Sequence, residues 1–214
     1  MIKLHGFPVS NYYNMVKFTL LEKGFEYEEV LTRPSQDGDF LSKSPMGKVP
    51  CLEVREGFLT ETNVILEFIE DTFWGHALFP EDAFGKAKVR ELMKASELYL
   101  ELPARELFGA VFFDRPVSDD SKASVGEKLD KGTAALNKLL TFTPYAAGSA
   151  MTYADIMLYY TVTLAEVAVQ QVYGKSLYDD LPGATEWLEL MGKNSNVQQV
   201  NRDRDTALEK MKQG

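Results

Sequence analysis

The chain is poor in cysteine and histidine, the residues that form disulfides and bind metal ions. It has one cysteine, Cys51, in 214 residues, which excludes an internal disulfide, a Cys-x-x-Cys redox pair and a cysteine-rich zinc site. Two histidines, His5 and His76, leave little material for a metal centre. No apolar run approaches the roughly 18 residues of a membrane span, and the N-terminus lacks the pattern of a secretory signal. We therefore expect a cytoplasmic protein without a metal or a membrane partner.

Basic residues are also in short supply. The chain has 23 lysines and arginines and 32 acidic residues, which gives a formal charge of −9. Such a field repels phosphate backbones, so nucleic acid is disfavoured as a partner. Apolar residues make up 45% and charged residues 26% of the chain, values typical of globular proteins that fold unaided.

The first part of the chain predicts alternating short strands and helices. Ile2 to His5 indicates a strand, and Ser10 can cap a helix that ends at Lys23-Gly24. Phe25 to Leu31 indicates a second strand. This β-α-β order predicts two parallel strands.

The next segment completes a recognisable order of elements. Thr32 to Ser44 predicts a loop with a short helix near Phe40, followed by strands at Val49 to Val54 and Phe58-Leu59. The short connection between these strands favours an antiparallel hairpin. A helix follows from Thr62 to near Phe73. The order β-α-β-α-β-β-α predicts an α/β thioredoxin-like domain.

The rest of the chain predicts an all-α helical-bundle domain. We expect domains at residues 1–74 and 85–214, joined by a linker at 75–84. Thr152 and Asp155 fit a capping box before an almost wholly apolar helix, so Asp155 is predicted to be structural. The predicted helices span about 85–113, 119–140, 153–173, 184–191 and 196–212.

Four motifs along the whole chain resemble the cytosolic glutathione transferase superfamily, as a bacterial serine-type (theta-, zeta- or phi-like) member. They are Ser10, Gly47-Lys48-Val49-Pro50, Glu61-Thr62 and the Thr152-x-x-Asp155 cap. The resemblance implies a cytoplasmic homodimer that uses glutathione as co-substrate against small electrophiles, in detoxification, without a metal. A glutathione-dependent isomerase or peroxidase, or a non-catalytic protein-binding relative, would share these motifs.

The resemblance also implies where glutathione binds. A cis bond before Pro50 would leave the Val49 backbone free to pair with the cysteinyl residue of glutathione. Glu61 would receive the α-ammonium of the γ-glutamyl group, and Thr62 its carboxylate. Lys48 resembles a position that holds the glycyl end. Lys43 and Arg33 are further candidates for the glycyl carboxylate.

The catalytic task is to keep the glutathione sulfur ionised. Ser10 has the hydroxyl and the helix-start position for this role, as in the serine-type classes. Asn11, Tyr12 and Tyr13 follow directly and remain alternatives. Cys51 lies inside a predicted strand and is interpreted as a buried small hydrophobic residue.

The resemblance implies an electrophile pocket between the two domains. Arg105 is its sharpest candidate, because a cation there could attract an anionic second substrate. The other candidates are Tyr12, Tyr99, Glu101, Phe108, Phe112 and Phe113. An aromatic stripe at helical spacing is equally typical of a core or dimer contact.

Overall fold

The computed structural model describes residues 2–73 and 75–213, so the predicted boundary at residue 74 lies outside the described residues. The chain forms two compact units, Leu78–Met191 and a unit that joins Met1–Ala77 to Gly192–Gly214. The C-terminal segment thus groups with the first part of the chain, and the predicted domain boundaries stay a prediction. No helix in the described ranges is both long and apolar enough to cross a membrane.

The first unit is built on a four-stranded sheet with the strand order β2-β1-β3-β4. Strand β1 pairs in parallel with β2 and antiparallel with β3, and β3 pairs antiparallel with β4. The predicted β-α-β unit and hairpin are both confirmed. The strands are β1 Ile2–Gly6, β2 Tyr27–Leu31, β3 Cys51–Val54 and β4 Gly57–Leu59.

The helices of this unit follow the predicted order, with one addition from the C-terminus. Ser10 caps the first helix, and Gly24 follows its end with a φ of 68°. Leu4, Leu52 and Ile69 are fully buried in the core of this unit. The helices are α1 Asn11–Glu22, α2 Gly38–Leu41, α3 Thr62–Thr72 and, from the C-terminal segment, α10 Ser195–Gln213.

The second unit is helical, as predicted, but its first helix is divided. The prediction of one helix over residues 85–113 was wrong, because a π-helical turn at Glu97–Glu101 and a break before Phe108 interrupt it. Pro103 has no N–H with which to continue the α-helical hydrogen bonds. The helices are α4 Ala83–Ser96, α5 Leu102–Arg105, α6 Phe108–Phe113, α7 Asp119–Leu139, α8 Tyr153–Tyr173 and α9 Ala184–Gly192.

Asp155 organises the core of the second unit. The predicted capping box is present at the start of α8. The buried carboxylate accepts hydrogen bonds from the backbone N–H of Thr152 at 2.8 Å and of Ala146 at 2.7 Å. It also accepts one from Trp187 Nε1 at 2.8 Å. Burial raises the pKa of Asp155, while these donors act in the opposite direction. The contacts agree with a structural role.

Candidate functional site

The strand register brings the candidate residues of the first unit to one edge of the sheet. Strands β1, β2 and β4 end at this edge, and β3 begins there. We call the segments that emerge here, residues 7–10, 32–33, 47–50 and 60–62, the site edge. The strand pairs next to it are Gly6 with Leu31, His5 with Cys51 and Leu52 with Leu59.

The segment before β3 is fixed by short-range contacts. The buried Ser44 hydroxyl donates to the Lys48 carbonyl at 2.7 Å and accepts from the Lys48 N–H at 3.2 Å. Gly47 has a φ of +62°, and a Cβ there would lie 2.1 Å from the Ser35 carbonyl oxygen. Glycine is therefore required at this position. These constraints determine the backbone position of the next residue, Val49.

Val49 presents an open backbone at the site edge. Its peptide bond to Pro50 is cis. Within residues 2–73 and 75–213, neither the N–H nor the C=O of Val49 has a hydrogen-bond partner. The residue is only half-buried, whereas Pro50 is buried. Since backbone polar groups need partners, this position can pair with an extended peptide as an added strand does.

Glu61 and Thr62 stand at the start of α3, directly after β4. Glu61 has a φ of 65°, a conformation that costs a non-glycine residue about 1–3 kcal/mol and is found most often at functional sites. Its side chain is exposed and makes no capping hydrogen bond, whereas Thr62 is 7% exposed. A carboxylate beside a helix N-terminus offers one subsite for a cation and one for an anion.

Ser10 lies at the N-terminus of α1, directly after β1. Its Oγ accepts a long hydrogen bond of 3.4 Å from the Tyr13 N–H. No residue in the described part of the chain accepts the Ser10 hydroxyl proton. The turn before it is held by a 3.0 Å bond from the Ser10 N–H to the Phe7 carbonyl and a 2.8 Å bond from Asn14 Nδ2 to the Pro8 carbonyl. The half-buried hydroxyl can therefore donate to a ligand.

The alternatives to Ser10 differ in their surroundings. The Tyr13 hydroxyl is buried and donates to the Glu29 carboxylate. Burial, followed by the hydrogen bond to Glu29, raises the pKa of Tyr13. This hydroxyl is therefore already used within the fold. Asn11 is buried and Tyr12 half-buried, and both stay alternatives.

Three cations lie on the segments around the site edge. The exposed Lys48 precedes Val49. Lys43 Nζ lies 5.6 Å from the centroid of the Phe58 ring, and Arg33 Cζ lies 5.7 Å from that of the Phe7 ring. No carboxylate of the described residues pairs with any of these three cations. Sequence reasoning missed Phe7 as a site residue; the register of β1 and β2, continued by one residue, places Phe7 opposite Thr32 and so next to Arg33.

Cys51 belongs to the core. Its side chain is fully buried, and its Sγ contacts the Lys43 carbonyl at 3.6 Å. Burial raises the pKa of the thiol to about 11. These surroundings agree with the interpretation of Cys51 as a small hydrophobic residue rather than a redox thiol.

Most candidates for the electrophile pocket lie in the second unit, and Tyr12 lies in the first. Arg105 Nε donates to the fully buried Glu101 at 2.7 Å, and its guanidinium lies 5.3 Å from the Phe108 ring centroid. Tyr99 is 50% exposed in the π-helical turn. The charge of Arg105 is thus matched within its own unit, and its role with a second substrate stays a prediction.

Comparisons with known proteins cover both units. The family model described as the N-terminal domain of glutathione S-transferase matches residues 4–76, and that of the C-terminal domain matches residues 119–190. A glutathione S-transferase of Pseudomonas putida strain F1 is 46% identical over 208 residues, which are 97% of this chain and 94% of that protein. A zeta-class glutathione S-transferase of Euphorbia esula is 30% identical over 164 residues, 73% of this chain and 72% of that protein.

Among solved structures, glutathione transferase F2 of Populus trichocarpa has a similar fold. Its TM-score is 0.82, and the match covers 96% of this chain and all, 100%, of the poplar chain. At 19% identity, this likeness concerns the fold alone. It agrees with a thioredoxin-like α/β part followed by a helical part.

Proposed function

Because the chain belongs to the glutathione S-transferase family and is a glutathione transferase, we propose that glutathione binds along the site edge and that its thiolate attacks a small electrophile. The observation that carries this proposal is the open Val49 backbone, with Ser10 on one side of it and Glu61 on the other in the strand order. The family uses glutathione and electrophilic substrates. The isomerase, peroxidase and non-catalytic readings are not favoured by the named relatives.

Each part of glutathione has a matching group in this proposal. Glu61 receives the α-ammonium of the γ-glutamyl head, and Thr62 with the first N–H groups of α3 binds the neighbouring carboxylate. The cysteinyl backbone pairs with Val49. The exposed amine of Lys48 binds the glycyl carboxylate. Pro50, which follows Val49, is buried.

Ser10 is the proposed donor to the sulfur. A free thiol has a pKa of about 8.5, and lowering it by ~2 units needs ~2.7 kcal/mol of preferential stabilisation of the thiolate. A hydrogen bond to a charged acceptor contributes about 1.5–3 kcal/mol, and the N-terminus of α1 adds some tenths. The Tyr13 N–H occupies one lone pair of Ser10 Oγ and leaves the hydroxyl proton for the thiolate.

The reaction itself is a nucleophilic substitution or addition. The thiolate forms a C–S bond, and the leaving group departs with the electron pair of the broken bond. In an addition to a double bond, the π bond of the electrophile breaks, and its electron pair takes a proton from water. Nothing is oxidised or reduced, so the balance is complete with glutathione and the electrophile.

The thiolate absorbance of bound glutathione tests Ser10. We expect Ser10→Ala to raise the pKa of the bound thiol by about 1–2 units, because the loss of about 1.5–3 kcal/mol corresponds to that shift. Ser10→Thr keeps a hydroxyl and serves as the matched control. Equal titration curves for the parent and Ser10→Ala would remove Ser10 from the mechanism.

Calorimetric binding of glutathione tests the γ-glutamyl subsite. Glu61→Gln removes the proposed partner of the α-ammonium, and a charge-assisted bond of this kind is worth about tenfold in Kd or more. The control is Glu56→Gln, an exposed glutamate in the turn between β3 and β4, at the opposite edge of the sheet. If both variants bind glutathione as the parent does, Glu61 does not hold the ligand.

We further propose that Tyr12, Tyr99, Arg105 and Phe108 contribute to the pocket for the electrophile. Their support is the resemblance to the family together with the partial exposure of Tyr99. Phe108→Ala should then raise KM for an aromatic electrophile and leave KM for glutathione unchanged. A change in KM for glutathione alone would contradict this role.

The assembly, location and physiological role are proposed on family membership. We propose a homodimer that acts in cytoplasmic detoxification of electrophiles. Light scattering should give a mass of about twice the 24.1 kDa of the chain, and a mass of one chain would contradict the dimer. Recovery of the protein in a membrane or secreted fraction would contradict the location.

A further inference from the structure

Arg33 is a cation at the site edge that the proposed binding of glutathione does not use. It is exposed and follows the end of β2 by two residues. Its guanidinium lies 5.7 Å from the centroid of the Phe7 ring. Among the residues that the structure describes, no carboxylate forms an ion pair with it. This differs from Arg105, whose charge is matched by Glu101 at 2.7 Å.

The strand order sets the position of Arg33 relative to the sulfur. Along the site edge, the segments follow the order β2-β1-β3-β4, and neighbouring strands lie about 4.8 Å apart. Glu61 follows β4, Val49 precedes β3 and Ser10 follows β1. Arg33 follows β2, the strand that neighbours β1 on the side away from β4. A group bound there would therefore lie next to the sulfur that Ser10 is proposed to hold.

Local contacts hold Arg33 in this position. The parallel ladder of β1 and β2 continues to a 2.8 Å hydrogen bond from the Thr32 N–H to the Gly6 carbonyl. Arg33 and Phe7 are the next residues of the two segments. Phe7 accepts the Ser10 N–H through its carbonyl at 3.0 Å. Backbone hydrogen bonds therefore join the segment of Arg33 to that of Phe7, and Phe7 to the turn at Ser10.

A guanidinium over an aromatic ring suits one class of ligand. Arginine binds carboxylates through two parallel N–H donors, and its planar group stacks on rings. The aromatic ring offers apolar surface for a planar body. The chain carries a formal charge of −9, which repels anions at a distance. An arginine that has no carboxylate partner in the described part of the chain therefore attracts an anion only at short range.

We propose that Arg33 and Phe7 recognise a carboxylate on a planar electrophile and so select anionic aromatic second substrates. This inference rests on the proposed function. In the reaction with a chlorinated ring, the thiolate attacks the carbon that carries chlorine, the C–S bond forms, and chloride leaves with the electron pair of the C–Cl bond. The carboxylate does not react; it fixes the ring beside the sulfur.

The test compares two electrophiles that differ by one carboxylate, chlorodinitrobenzene and chlorodinitrobenzoate. For each, kcat/KM of a variant is divided by that of the parent, which removes the difference in intrinsic reactivity. Arg33→Gln should lower the ratio for the benzoate about tenfold more than the ratio for the neutral ring. Arg33→Lys keeps the charge but loses the paired donors, so its ratio for the benzoate should lie between those of the parent and Arg33→Gln. Arg55→Gln, an exposed arginine at the opposite edge of the sheet, is the matched control.

Two kinetic outcomes would overturn the inference. An equal loss for both electrophiles would mean that Arg33 only supports the fold. A raised KM for glutathione with either electrophile would assign Arg33 to the glycyl carboxylate instead.

A binding arm separates this inference from the proposed function. Calorimetry with the two product conjugates of glutathione, with and without the carboxylate, needs no turnover. If the parent turns over neither electrophile, the proposed function fails. Tighter binding of the carboxylated conjugate, lost in Arg33→Gln, still supports Arg33, and equal binding of both conjugates overturns it.

Discussion

Tyr13 and Ser10 are three residues apart at the start of α1, and the structure surrounds their hydroxyls differently. Ser10 is half-buried, and no described residue accepts its hydroxyl proton, whereas the Tyr13 hydroxyl donates to Glu29. Lys17 Nζ contacts the same carboxylate at 2.7 Å and 2.8 Å. Tyr13 therefore belongs to a polar cluster that fastens α1 to β2.

Tyr13→Phe tests this division of roles. The variant loses a hydrogen bond to a charged acceptor, so we expect the free energy of unfolding in urea to fall by about 1–2 kcal/mol. The pKa of the thiol of bound glutathione should be the same as in the parent. Ser10→Ala is the matched comparison, because it should change the pKa of the bound thiol, and the loss of its helix cap should also lower the free energy of unfolding by about 0.5–2 kcal/mol. A lost thiolate signal in Tyr13→Phe would transfer the catalytic role to the tyrosine.

The thiol of Cys51 should be unreactive toward thiol reagents in the folded protein. With a pKa raised to about 11 by burial, only about one thiol in a thousand is ionised at pH 8. Because the thiol is an acid with a raised pKa, its thiolate fraction grows about tenfold per pH unit as the pH rises towards that value. Labelling by a thiol reagent should be slow until urea unfolds the chain. Rapid labelling of the native protein at pH 8 would contradict the burial of Cys51.

At the residue scale, local patterns predicted part of the candidate site. Ser10 and Thr62 carry helix-start chemistry, and Gly47 to Pro50 carries loop chemistry, so their neighbours along the chain suffice. The bond from Tyr13 to Glu29 joins α1 to β2, and such a contact depends on the packed fold. The pairing of Arg33 with Phe7 was missed for the same reason.

At the scale of elements, the π-helical turn marks where pattern reading failed. Residues 85–113 have helical periodicity throughout, but Leu102 N–H donates to the Glu97 carbonyl, a wider turn than in an α-helix. Gly132 in α7 approaches this turn closely, since a Cβ there would lie 2.0 Å from the Tyr99 carbonyl oxygen. A contact between separate helices therefore accompanies the widened turn.

Helix α10 is held to α1 within the first unit. Lys17, whose side chain is 2% exposed, pairs with Asp203 at 2.8 Å. At the C-terminal end of α1, Glu22 accepts from Asn194 Nδ2 at 2.6 Å and from Asn196 Nδ2 at 2.9 Å. Periodicity predicted the helix at 196–212 but gave no sign of its partner. These polar contacts explain why the C-terminal segment groups with the first unit.

Asp203→Asn tests the contact of α10. The burial of the Lys17–Asp203 ion pair is intermediate. Exposed ion pairs contribute about 0–1 kcal/mol to stability, whereas breaking a buried pair costs about 3–5 kcal/mol. Since Lys17 keeps Glu29, we expect a loss of about 1–2 kcal/mol in the free energy of unfolding. Asp205→Asn, on the same helix but 57% exposed, should change it by less than about 0.5 kcal/mol. Equal effects would show that Asp203 does not fasten α10.

At the scale of the whole molecule, the two units have different means of stabilisation. The first unit combines a sheet core with the charged cluster around Lys17. The second unit is helical and is organised around the buried Asp155. The order of elements and the helical character of the second part follow from periodicity. The sequence indicated only the local half of the Asp155 contacts, those within the capping box.

Asp155→Ala should therefore destabilise the second unit severely. The variant leaves the Trp187 indole N–H and the Ala146 N–H buried without their acceptor, and each such group costs about 1–3 kcal/mol. We expect a loss of about 3 kcal/mol or more in the free energy of unfolding measured in urea. Asp155→Asn keeps one acceptor oxygen and should lose less. Asp130→Asn, whose carboxylate is 64% exposed and pairs with Lys175, is the control, and a loss in Asp155→Ala no larger than the control's would mean that Asp155 does not organise this unit.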